Sequence, residues 1–244
     1  MKGRGPMPNL TSDFLLAGLL WYVVFLLSTT CHEASHALAA KWGGDLTAFQ
    51  GGQVSLDPVP HIRREVFGMV IFPILSYVVG GWMMGWASAP YDRLWAERHP
   101  RRAAWMSLAG PAANFSLAIL AGVLIRVGIA LDLLHSPDTA NFTHIAEAAG
   151  AGVPEGGAMF LSLLFSLNLL LGTFNLLPVP PLDGFGAIGV LVSEDAARRV
   201  QTFGHTLRGF TFLGLLVAWQ VFDPIFDPVF KLGLRLLYPG ESYG

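Results

Sequence analysis

His32, Glu33 and His36 belong to a His-Glu-Ala-Ser-His pentad that directly continues an uncharged apolar run from Phe14 to Cys31. On a helix, residues four apart share one face with their Cβ atoms about 5–6 Å apart. Two imidazoles so placed can hold one metal ion, and the carboxylate beside them can act as base to a water that the ion activates. That is hydrolytic chemistry. Ionisable groups in an apolar segment are costly and mark functional positions, so the pentad predicts a reaction inside a lipid bilayer.

The elements that must position these residues are membrane elements. Hydrophobic residues make up 53% of the chain and charged residues 13%, with a mean hydropathy of +0.52, whereas a soluble domain carries roughly 25% charge. Uncharged stretches run from Phe14 to Cys31, Phe67 to Tyr91, Ala103 to Ile125, Gly156 to Leu182 and Gly209 to Phe222. Several exceed the ~20 residues that cross hydrocarbon, which predicts an all-α polytopic membrane protein of about five to six membrane helices or re-entrant segments. The 244 residues then form a single integral-membrane domain, 1–244, with no room for a separate soluble one. A net charge of -2 gives no reason to expect nucleic acid, and the lone Cys31 excludes an internal disulfide framework and a Cys-rich zinc finger. Lys2 and Arg4 precede the first apolar stretch as they would in a signal peptide, but that stretch runs on into the pentad without a persuasive cleavage site, so it is read as retained.

Along the chain, Thr11-Ser12-Asp13 caps a first helix that Gly43-Gly44 stops near Trp42. Asp45 to Leu56 has alternating and turn character around Gly51-Gly52 and predicts a small β-hairpin after that helix. At membrane depth its edge needs a cavity or a partner, and an extended substrate segment is one such partner. Pro73 and Gly80-Gly81 interrupt the second apolar run, leaving open whether it spans or dips in and returns. The third carries Gly110, Asn114 and Ala118 at four-residue spacing, a small-residue stripe with one amide in it. The fourth leads into Asn175-Leu-Leu-Pro178-Val-Pro180-Pro181-Leu-Asp183-Gly184, where the prolines remove backbone donors and end the helix. A short apolar piece, Phe185 to Val192, precedes a polar segment from Ser193 to Arg208 and a last helix ending near Asp223-Pro224 and Asp227-Pro228.

In its motifs and their order the chain resembles the site-2 protease family of intramembrane zinc metalloproteases. The matches are His32, Glu33 and His36, then Gly110 and Asn114, then Asn175, Pro178, Asp183 and Gly184, over about Phe14 to Gly189. Ser35 and Phe185 stand where many members have Gly, and neither departure removes a ligand. The resemblance implies a single Zn2+ held by His32, His36 and Asp183, with Glu33 as general base. It assigns Asn114 and Asn175 to substrate or transition-state stabilisation and makes Pro178 part of a broken wall that holds substrate. It further implies a transmembrane protein substrate that must unwind locally, and a multi-pass enzyme of the prokaryotic inner membrane. No PDZ-like or CBS-like module is visible, as in the compact prokaryotic type.

Plainer readings stand beside these. Asp183 could cap the helix that begins at Gly184, and Asn114 could be interhelical glue. His61, in Asp57-Pro-Val-Pro-His61, is either a gate or accessory site residue or a solvated loop histidine. A catalytically silent metal-binding scaffold or metal transporter is the competing function, and Glu33 opposes it because a carrier needs no base. Arg93, Arg98, Arg101 and Arg102 before the third helix, and Arg198 and Arg199 before the last, face the cytoplasm by the positive-inside rule, with Asp132, Asp138, Glu147 and Glu155 opposite. A metal nearer the cytoplasmic side fits that charge pattern only if Phe67 to Tyr91 re-enters rather than crosses; Lys2 and Arg4 pull the other way.

Overall fold

The computed structural model describes residues 11–150, 153–241 and 243; Lys2 and Arg4 lie outside them. Helix α1, Ser12–Gly43, starts where the Thr11 hydroxyl accepts from Phe14 N–H, and stops at Gly44, whose φ of 97° lets its N–H close back on Ala40 and Lys41. Then follow α2 (Thr47–Gln50), α3 (Pro58–Arg64), a π-helical turn at Phe67–Ile71 that runs into α4 (Phe72–Gly80), and α5 (Arg93–Arg98). Helix α6 covers Pro100–Ala130, strands β1 (Leu134–His135) and β2 (Glu147–Ala148) pair antiparallel, and α7 covers Val153–Asn175. After a proline-rich turn come α8 (Asp183–Ala187), α9 (Glu194–Thr206) and α10 (Thr211–Leu237).

Among the described residues α1, α6, α7 and α10 are long and apolar enough to cross a membrane. Helix α6 is the centre of the bundle. Its buried Gly110, Ala118 and Ala121 present almost no side chain, so neighbouring backbones can come close, while Trp21, Val24 and Phe25 of α1 and Leu163, Leu164 and Leu167 of α7 fill the core around Ile125. The predicted all-α membrane architecture is what forms.

The small antiparallel sheet lies elsewhere than expected. Asp45 to Leu56 is not a hairpin but the short helix α2 with its turns, and the two-residue strands sit in the linker between α6 and α7. The reason is local: the Asp45 carboxylate accepts from both the backbone N–H and the hydroxyl of Thr47. Gly52, at φ 75°, then turns the chain so that Gln53 N–H reaches Ala48 O. With those groups satisfied inside the turn, strand pairing offers nothing further.

The second apolar run turns back on itself. Phe67 to Gly80 rises only about 21 Å, short of the ~30 Å hydrocarbon layer. Gly81, at φ 68°, reverses the chain, and an extended segment runs back beside the helix with Trp86 N–H donating to Gly68 O. That return ends where it began, with the Ser88 hydroxyl donating to the Glu65 carboxylate; beyond it, Trp95 Nε1 and Arg102 Nη1 both donate to Gly43 O at the end of α1. Helices α1 and α6 therefore meet at one face of the bundle. Arg101 also reaches Val192 O there, just before α9, which carries Arg198 and Arg199, so both arginine groups lie toward the same end of α6, away from the linker that holds β1 and β2.

The last helix also differs. It passes through Pro224 and Pro228 to Leu237. Each proline removes a backbone donor, yet Phe222 stacks on Phe226, Phe226 packs at a tilt against Phe230, and Phe174 of α7 packs edge-on against Phe222. Tertiary packing outweighs the two lost hydrogen bonds.

Candidate metal centre

His32 and His36 lie on the last third of α1, both buried, with Nε2 atoms 3.0 Å apart. Asp183 opens α8, and its Oδ2 comes to 3.0 Å from His32 Nε2 and 3.2 Å from His36 Nε2. Among the described residues this is the group of ligating side chains whose donor atoms converge, all within 4.8 Å of one another. Tetrahedral donors about 2.0–2.1 Å from a zinc ion lie about 3.3 Å apart, close to the edges of this triangle. Two imidazoles and one carboxylate are also the donor set of catalytic zinc, which keeps a further position open.

Helix α6 makes the cradle. A Cβ added to Gly110 would fall inside contact distance of His36 Nε2 and only 2.5 Å from His32 Nε2, so any larger residue would crowd the space against these donors. Nδ1 of each histidine is turned to an acceptor: His36 Nδ1 meets Met106 O at 2.7 Å, and His32 Nδ1 meets Asn114 Oδ1 at 2.6 Å. Those contacts hold both Nε2 lone pairs toward the centre.

Asp183 owes its place to close backbone packing. A Cβ at Gly184 would collide with the Leu176 carbonyl and come within 2.6 Å of Leu177 O; one at Gly189 would come within 2.8 Å of Ala104 Cβ. The α8 turn is thus pressed onto the end of α7 and the flank of α6. Gly184→Ala is expected to push Asp183 out of register and lower cleavage on the order of 100-fold; a chelator-competition titration should show weaker metal binding alongside. Wild-type values for both would mean that this packing does not position the carboxylate.

Glu33 is 6% exposed, and no hydrogen bond ties its carboxylate to another described residue. A buried carboxylate left free of protein partners suits a group that must exchange protons.

The remaining predicted residues are placed differently from one another. Asn114 is fully buried with a partner on each side, His32 at its oxygen and Asn168 at its nitrogen. Asn175 ends α7 with Nδ2 donating to Leu171 O at 3.0 Å, and Pro178 is exposed in the turn that follows. His61 is buried in α3 with Nε2 on Ser55 O, and it is not among the converging donors. Sequence reasoning did not single out Asn168 or Ser28; the one signal available was a polar amide and a hydroxyl inside apolar runs. Met106 contributes only its backbone and leaves no signal at all.

Comparison with known proteins bears on this geometry. The profile of peptidase family M50 matches residues 20–218. The chain is 29% identical over 224 residues to "Putative zinc metalloprotease YwhC" of Bacillus subtilis (strain 168), which covers 89% of this chain and 92% of that protein. It is 32% identical over 176 residues to "Putative zinc metalloprotease Rip2" of Mycobacterium tuberculosis (strain ATCC 25618 / H37Rv), covering 70% of this chain. The Rip2 protein of Mycolicibacterium smegmatis (strain ATCC 700084 / mc(2)155) is 31% identical over 177 residues. The chain spans 58% of the length of each mycobacterial relative. No solved structure matches it.

Proposed function

Because the chain belongs to peptidase family M50, the site-2 protease family, and is accordingly a metalloprotease, we propose that it is an intramembrane zinc endopeptidase that cuts a transmembrane segment of another membrane protein. The observation that carries this reading is the convergence of His32, His36 and Asp183 beside a buried Glu33 within membrane-length helices. The donor set fits zinc, which when bound supplies a Lewis acid that lowers the pKa of water towards ~7 and polarises a carbonyl.

The residues of the chain do the rest. His32 and His36 hold their Nε2 lone pairs inward, and Asp183 adds a negative charge that completes the set. Glu33 takes the proton of the attacking water and passes it to the leaving amine. The α7–α8 turn around Asn175 and Pro178 sits next to Asp183 in sequence and offers exposed surface to an extended peptide. A transmembrane helix hides its carbonyls in its own hydrogen bonds, so a substrate must open locally before it can be cut. The aqueous path to Glu33 then lies toward the arginine-rich face, since His36 is about two helical turns from the end of α1. By the positive-inside rule that face is cytoplasmic, and the bacterial source of the matched relatives supports a prokaryotic inner membrane.

The test uses the full chain in zinc-loaded vesicles with two model transmembrane substrates, one uniformly Leu-rich and one carrying a Gly-Pro pair in its span. Cleavage within the span, at least about tenfold faster for the weakened helix, is the expected result. Zinc bound without cleavage of either would favour a metal-binding scaffold or transporter, and cleavage confined to soluble peptides would remove the intramembrane reading.

A further inference from the structure

We propose that Asn168 is a positioning residue of the metal centre: through Asn114 it fixes the ring orientation and tautomer of His32. This rests on the zinc reading above and deepens it. The contacts form one line across three helices. His32 Nδ1 lies 2.6 Å from Asn114 Oδ1, Asn114 Nδ2 donates to Asn168 Oδ1 at 2.8 Å, and Asn168 Nδ2 donates at 2.8 Å both to Ser28 Oγ and to Leu164 O. Asn114, Asn168 and Ser28 are each 0% exposed.

The polarity of this line is fixed at its far end. Leu164 O is a backbone carbonyl and can only accept, so the group facing it must be the NH2 of Asn168. The Asn168 oxygen therefore faces Asn114, which must answer with its own NH2. A second carbonyl, Ser28 O, lies 3.5 Å from that same Nδ2 and asks for the same orientation. The Asn114 oxygen is then left for His32, and an oxygen in that position accepts a proton from Nδ1. His32 is thereby held as the Nδ1–H tautomer with the Nε2 lone pair free for the ion. Ser28 sits one turn before His32 on α1, and α7 leads on to Asp183, so the same amide that sets the tautomer also ties the histidine helix to the helix preceding the third ligand.

Because every donor and acceptor in the line is buried in apolar surroundings, no water can replace a lost member cheaply. Asn168→Leu keeps the volume and removes both functions of the amide. It should weaken zinc binding about 10–100-fold, the usual cost of losing an outer partner of a ligating histidine. The experiment measures zinc affinity by chelator competition for the full chain in detergent, as wild type, Asn168→Leu, Asn114→Leu and the double variant. If Asn168 acts through Asn114, the double variant binds zinc no more weakly than the weaker single one. Zinc affinity of Asn168→Leu within about twofold of wild type, or effects that multiply in the double variant, would overturn the proposal. Should the leucine variants fail to fold, the same zinc titrations on Asn168→Ser, Asn114→Ser and their double variant decide, by the same two outcomes. Wild type that takes up no zinc would instead refute the metal reading beneath it.

Discussion

Glu33→Gln is expected to lower cleavage by about 10²–10⁴-fold, the contribution of a positioned general base, while the protein keeps its zinc. Glutamine has the same shape, so packing around the pentad is retained; what is lost is the ability to take a proton. Neither Nε2 donor nor Asp183 Oδ2 depends on Glu33 for a hydrogen bond, which is why metal content and turnover should separate in this variant. Metal analysis and cleavage of the Gly-Pro transmembrane substrate on the same preparation read the two quantities. Undiminished turnover would show that the proton is handled elsewhere. Loss of zinc together with activity would show that Glu33 holds the centre together rather than working at it.

The parts of this centre that sequence alone discloses are those set by local periodicity or by a residue in an incongruous place. Two histidines and a glutamate at the end of an apolar run announce themselves, as does an aspartate after a proline-broken helix. The Gly110, Asn114 and Ala118 stripe is visible because four-residue spacing puts small residues on one helix face. Partnership across helices is a different matter. The family resemblance points the Asn114 amide at a substrate, whereas its neighbours are His32, Asn168 and Ser28, residues 82, 54 and 86 positions away in the chain; no periodicity encodes such pairings. Asp45 misled for a related reason, since a single carboxylate that satisfies Thr47 twice converts an alternating stretch into a turn. Pro224 and Pro228 signal a helix end, but the helix continues because its phenylalanines are already packed. Only the Asn114 pairings are tertiary contacts; at Asp45 a side-chain contact two residues away, and in the last helix a row of phenylalanines four residues apart, override the pattern read from residue types alone.

Gly110→Ala should abolish metal binding and, with it, lower cleavage by on the order of 10³-fold or more, since Lewis-acid assistance contributes several kcal/mol. A methyl group there would sit against both Nε2 atoms, and its base is the backbone of α6, which cannot withdraw without carrying Met106 O and Asn114 away from the Nδ1 atoms they hold. Intrinsic propensity points the opposite way, since Gly to Ala inside a helix favours the helix by about 0.8–1 kcal/mol; it offsets part of the roughly 1–3 kcal/mol that crowding the buried imidazoles costs, so a stability assay should report a protein that still folds. Loss of zinc in a protein that still folds can then be assigned to the occupied cradle. Gly122→Ala on the same helix is the control, because its added Cβ would meet nothing nearer than Phe165 at 3.5 Å, an ordinary contact. That variant should keep zinc and activity. Equal zinc affinity in Gly110→Ala and Gly122→Ala would mean that the ion does not sit between the imidazoles and α6, and the three-ligand centre would have to be redrawn.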